Sequence, residues 1–189
     1  MTAAALTFDT PRSDATVAIC AGRVLLLAGL AFGSANLFQW AVLGGALDLH
    51  PAVLGLSWPV AVGVFLIGLV RLRRAGGEAG RRVAGWSRAA VLIQIAVALT
   101  LAAAGYATGD WGLMRWAAVA GLVLYAVVWA VAAVRNGSSN MGVLFLVALG
   151  GAAAAATRFG TPDQNLIQAF TLALAALLPG LWLANGRRL

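Results

Sequence analysis

Lysine is missing from this chain: all 13 basic residues are arginine. Without a lysine amine there is no retinal or pyridoxal Schiff base and no P-loop, since each depends on that group. Cysteine occurs once, at Cys20, which rules out an internal disulfide, and the lone histidine, His50, cannot supply a bis-histidine haem. Charge of any kind is scarce. Charged residues make up 10% of the chain and apolar ones 62%, against about 25% and 45–50% in soluble domains. That composition belongs to a membrane protein. In a soluble protein the net charge of +7 would suggest nucleic acid. Here the arginines flank apolar runs, so the charge reads as a topology and anionic-lipid signal with no nucleic-acid partner.

What is present is a series of apolar runs separated by short polar breaks. The 189 residues have room for about six spans of roughly 20 residues each. The breaks place them at residues 24–47, 52–70, 89–108, 111–134, 141–157 and 166–184, after a polar tail over residues 1–19. The expected fold is an all-α integral membrane protein. It is a six-transmembrane-helix bundle of three antiparallel hairpins, one membrane domain over residues 20–189, with N- and C-termini cytoplasmic. The link from Arg135 to Asn140 is short enough to make the fourth and fifth spans antiparallel neighbours.

The one long polar interruption is RLRRAGGEAGRRVAGWSR, from Arg71 to Arg88, with Arg71, Arg73, Arg74, Arg81, Arg82 and Arg88 against a single acid, Glu78. It reads as a flexible cationic loop. Arg-rich loops stay cytoplasmic, and anionic lipid headgroups are their natural partners. With six spans, eleven arginines and three acids fall on that side, and two arginines and three acids on the other. This asymmetry supports six spans in a bacterial cytoplasmic (inner) membrane, and the use of Ala, Gly and Arg without Lys suggests a GC-rich genome.

The middle of every span lacks Asp, Glu, Lys and His. Proton relays, intramembrane proteases and metal sites need such groups, so the spans alone assemble no catalytic centre, no metal site and no cofactor site. The best polar constellation is in the first span. Gly29, Gly33, Asn36 and Trp40 share one helical face. The two glycines would let another backbone approach, with Asn36 hydrogen-bonding across the contact. Thr100 and Tyr125 lie at similar depth and are candidate partners for Asn36. The alternative is that Asn36, Gln39, Thr100 and Tyr125 line a small neutral binding site. In the fifth span, Gly150, Gly151 and the run Ala152 to Ala156 call for cover by another helix. Pro179 in the sixth frees a carbonyl that a neighbour or water must satisfy. Trp111, Trp116, Trp129 and Trp182 fall where interfacial belts sit.

In outline, with six spans, this length and both ends inside, the chain resembles the substrate-binding subunits of energy-coupling-factor vitamin transporters. Those subunits pack on their partner through small residues in the first span, and AFGSA (Ala31 to Ala35) is similar to that contact. The resemblance implies a partner membrane subunit. The outer loops depart from it in being short and poor in polar residues. The residues themselves point to a non-enzymatic helix-packing subunit or scaffold, working as a homo-oligomer, with a partner subunit or with membrane lipid. The alternative is a small-molecule transporter or substrate-binding subunit with a neutral site near Asn36.

Overall fold

The computed structural model describes residues 11–187. Six helices in it are long and apolar enough to cross a membrane: Thr16–Leu43, Leu54–Ala75, Gly77–Thr108, Trp111–Asn136, Ser139–Thr157 and Asp163–Ala184. The elements are α1 (Pro11–Leu43), α2 (Leu54–Ala75), α3 (Gly77–Thr108), α4 (Trp116–Asn136, after a 3-10 turn over Trp111–Arg115), α5 (Ser139–Thr157), α6 (Asp163–Leu172) and α7 (Leu178–Ala184). A π turn over Ala173–Leu177 joins α6 to α7, and the three form one rod.

Helix ends differ from the ends of the apolar runs, because a helix continues until its backbone is interrupted, whatever the polarity of its side chains. Thus α1 begins at Pro11, inside the stretch expected to be a tail, and stops at Leu43, four residues short of the expected end; residues 1–10 lie outside the described residues. The largest correction concerns the arginine segment. It is no flexible loop: Gly76 alone separates α2 from α3. The turn is possible because Gly77 takes φ +59, and a Cβ on Gly76 would stand 2.8 Å from Gly80 Cα and 3.0 Å from the sulfur of buried Cys20. Arg71, Arg73 and Arg74 therefore sit on the last turns of α2, and Arg81, Arg82 and Arg88 on the first turns of α3. All six are exposed. Arg82 donates to Glu78 one turn back, at 2.9 Å.

Apolar burial sorts the helices into two groups of three. Val24, Ala28 and Ala31 of α1 pack with Phe65 and Leu69 of α2 and Ala84 of α3. Leu122 of α4 packs with Ala152 and Ala155 of α5 and Leu172 of α6, and Ala126 with Ala148 and Ala175. Phe32 touches both of the first two clusters. The groups meet where α1 lies along the α6–α7 rod, the most extensive packing in the molecule, and where α3 crosses α4. One face of the small residues of the fifth span is covered by this chain itself: Ala148, Ala152 and Ala155 are buried, and a Cβ on Gly151 would run into the side chain of Thr171, whereas Gly150 and Ala153 are exposed. In lipid no hydrophobic force drives helices together, so close packing of this kind and inter-helix hydrogen bonds hold the bundle.

The start of α1, the α2–α3 corner and the end of α7 come together at one end. Cys20 lies under the corner, and Gly22 packs on Leu183 and Ala184. Outward faces carry Leu30, Val60, Ile67, Leu99, Val127 and Leu146, each more than half exposed, the surface expected to face acyl chains. Trp111, Trp116 and Trp182 are exposed as belt residues should be. Trp129 is not. It is 5% exposed, for a reason that lies in the last helix.

Candidate functional site

Polar side chains inside this bundle act on backbone carbonyls of neighbouring helices. Gln94 of α3 donates through Nε2 to the Ala117 carbonyl at 2.8 Å. Gln164 and Gln168 of α6 donate to the carbonyls of Arg115 at 3.0 Å and Ala118 at 3.2 Å. The opening turns of α4 are thus gripped from two sides. Arg115 itself, at the end of a span, reaches the Gly160 carbonyl, while Trp116 packs its ring 4.8 Å from that of Phe159. Gln39 of α1 donates to Ser57 Oγ of α2 at 2.7 Å, and Ser57 in turn donates to the Leu54 carbonyl.

Trp129 completes the set. Pro179 has no N–H for the carbonyl four residues back, that of Ala175, and the indole N–H of Trp129 donates to that oxygen at 2.9 Å. The carbonyl freed by the proline is therefore satisfied by a side chain from α4. This is why the tryptophan is buried among the helices instead of facing outward.

Asn36 is fully buried, 0% exposed. Its amide does not cross to Thr100 or Tyr125. Nδ2 donates to the Phe32 carbonyl of its own helix at 2.7 Å, and Oδ1 has no hydrogen-bond partner among the described residues. The same holds for Gln94 Oε1 and Gln168 Oε1. The orientation of each amide is set by its neighbour, since the carbonyls of Phe32, Ala117 and Ala118 can only accept. A buried acceptor left without a donor costs about 1–3 kcal/mol. Thr100 is exposed and donates to the Ala96 carbonyl on its own helix, because its position in α3 faces out of the bundle. Tyr125 is half-buried between the clusters around Leu122 and Ala126. The four polar residues singled out by depth thus do not meet: Gln39 turns to α2, Thr100 outward, and Tyr125 into the α4–α5 side.

The two glycines of the first span also part company. A Cβ on Gly29 would stand 3.0–3.2 Å from Leu177 atoms, whereas at Gly33, which is buried, it would meet nothing within 4 Å. The tightest contact of α1 lies further down, at Gly22 and against Gly180 of α7. Gly29→Leu is accordingly expected to lower stability by about 1–3 kcal/mol through overpacking. Gly33→Ala should stay within about 1 kcal/mol of the parent, helix propensity favouring the alanine. Thermal unfolding in detergent measures both, and equal losses at the two positions would refute the placement of the contact.

The sequence did contain a signal for the missed glutamines: Gln164 and Gln168 are one turn apart on one face. Their targets are backbone carbonyls, which carry no residue code. A groove of about 460 Å³ opens on the lipid side between α1 and α2, lined by Ala31, Ser34, Ala35, Ser57 and Ala61 among others. Ala31, Ser34 and Ala35 of AFGSA face this groove within the chain, and Gly33 does not line it.

Fold and interior together define a multi-pass membrane protein of six apolar helices. No protein-family model matches the chain, and no curated protein or solved structure matches it either.

Proposed function

We propose that this chain is a non-enzymatic helix-packing subunit or scaffold of a membrane complex in the bacterial inner membrane. The observation that carries the reading is the use made of buried donors. The amides of Gln39, Gln94, Gln164 and Gln168 and the indole of Trp129 each bind another helix. Groups that could have lined a catalytic pocket instead fix helix positions. In mild detergent the protein is expected to run as an assembly of fixed stoichiometry, with copies of itself or with a second membrane protein. A monomer that retains its cellular activity alone would defeat the reading.

The arginine corner sets the orientation we propose for it. Arg71, Arg73 and Arg74 project from one helix end and Arg81, Arg82 and Arg88 from the next, a pair of cationic rows at headgroup level. Each contributes about 1 kcal/mol of attraction to an anionic leaflet. With this end cytoplasmic, a cysteine at Asn140 should react with impermeant reagent only from the cytoplasmic side, and one at Leu49 or Thr161 only from outside. Labelling of position 140 from outside would invert the protein.

A further inference from the structure

Among the described residues three buried amide oxygens have no hydrogen-bond partner, and one of them, on Asn36, belongs to a residue one turn beyond a glycine with open space beside it. Asn36 lies three residues beyond Gly33 on the same face of α1. Helical side chains lean toward the preceding turn, and Asn36 does so: its Nδ2 is held on the Phe32 carbonyl at 2.7 Å. The amide therefore lies over the turn that contains Gly33. Gly33 is buried, yet apart from its two chain neighbours and the backbone of its own helix no atom lies within 4 Å of where its Cβ would be. Oδ1 of Asn36, fully enclosed, has no partner among the described residues.

The register of α1 against the last rod brings a second amide to this level. Gly22 meets Leu183 and Ala184, Gly180 meets Leu26, and Gly29 meets Leu177. Numbers fall on one helix as they rise on the other. Seven residues beyond Gly29, Asn36 falls opposite the stretch about seven before Leu177, within roughly a turn of Gln168. Gln168 is 4% exposed, its Nε2 is held by the Ala118 carbonyl, and its Oε1 is likewise unpartnered. Phe32, one turn before Asn36, packs beside Leu122 and Leu172 at the junction of the two three-helix groups.

We propose that Asn36, Gly33 and Gln168 form a buried site for a small uncharged hydrogen-bond donor, an O–H group the size of water or of a short alcohol. Each amide has an oxygen acceptor without a partner, while one N–H of each is held by a backbone carbonyl. A cation would need a counter-charge at this depth, and the described acids on the spans' outer links, Asp48, Asp110 and Asp163, are exposed at helix ends. A buried acceptor without a protein donor is the setting in which proteins hold an ordered hydroxyl.

The test is hydroxyl-radical footprinting by X-ray radiolysis of the full chain in lipid nanodiscs, read at Phe32 and normalised to exposed Trp111. Phe32 is expected to oxidise well above what its burial allows, since a bound O–H beside it is the radical source. Asn36→Leu removes the acceptor and Gly33→Ala fills the space, and each should reduce that oxidation several-fold while Gly150→Ala, on an exposed face, leaves it unchanged. Gly33→Ala also keeps the test open should Asn36→Leu fail to fold. Ethylene glycol distinguishes the source: normalised oxidation that falls on its addition identifies a short alcohol as a ligand, and oxidation that does not change identifies water. Phe32 oxidation that is the same in the parent and in the folded Gly33→Ala protein would overturn the site.

Discussion

Alanine at Gly180 is expected to cost about 3 kcal/mol or more, at the upper end of the overpacking range, and leucine at Gly22 or Gly180 should leave no stably folded protein. A Cβ at position 180 would stand 2.7 Å from the backbone nitrogen of Leu26 and 3.0 Å from the Gly22 carbonyl oxygen, and one at position 22 would run into the backbone nitrogen of Ala184. The obstacles are main-chain atoms. No rotamer change relieves them, so α1 and α7 must separate, and α7 is part of the rod that makes the most extensive packing with α1 among the described residues. Separation also exposes Cys20 and loosens the α2–α3 corner above it. Substitutions at Gly142 or Gly150, where a Cβ meets nothing within 4 Å, should stay near ±0.5 kcal/mol. Thermal unfolding and detergent gel filtration report both classes. A Gly180→Ala protein with the parent's melting temperature would show that the helices do not approach as closely as described.

That contact shows how far the amino-acid sequence could be read. Six spans were legible because lipid demands about 20 apolar residues per crossing, and the breaks between them are strongly polar. Their ends were less so. Arg71 to Arg88 looks like a loop when polarity is the guide, but arginines are good helix formers, and only Gly76 and Gly77 interrupt the backbone there. The glycine face of α1 was visible at Gly29 and Gly33. What was not visible is that the closest approach runs from Gly22 to Gly29 and has ended by Gly33, because that depends on where the π turn of the last rod falls. The polar interior was hardest to read. Depth alone grouped Asn36, Gln39, Thr100 and Tyr125, whereas rotation about each helix axis decides whether side chains meet, and a few residues' error in a boundary changes it by a large angle. Gln94, Gln164 and Gln168 find carbonyls, and every residue has one.

The last helix offers the most direct test of how such carbonyls are satisfied. Trp129→Phe keeps most of the buried ring and removes only the indole donor, which leaves the Ala175 oxygen without its 2.9 Å bond. The expected loss is about 1–3 kcal/mol, the cost of an unsatisfied buried acceptor. In the Pro179→Ala background the chain regains an N–H at position 179 that can donate to the carbonyl four residues back. The same Trp129→Phe change should then cost less than about 1 kcal/mol, giving a coupling within the 0.5–3 kcal/mol found for residues that share a network. Pro179 is buried, so Pro179→Ala carries a packing penalty of its own, but that term appears on both sides of the cycle and cancels. Reversible unfolding in mixed micelles supplies the four stabilities. Equal costs for Trp129→Phe in the two backgrounds would mean that the indole is not there to serve the carbonyl the proline leaves free, and the burial of Trp129 would then need a cause other than Pro179.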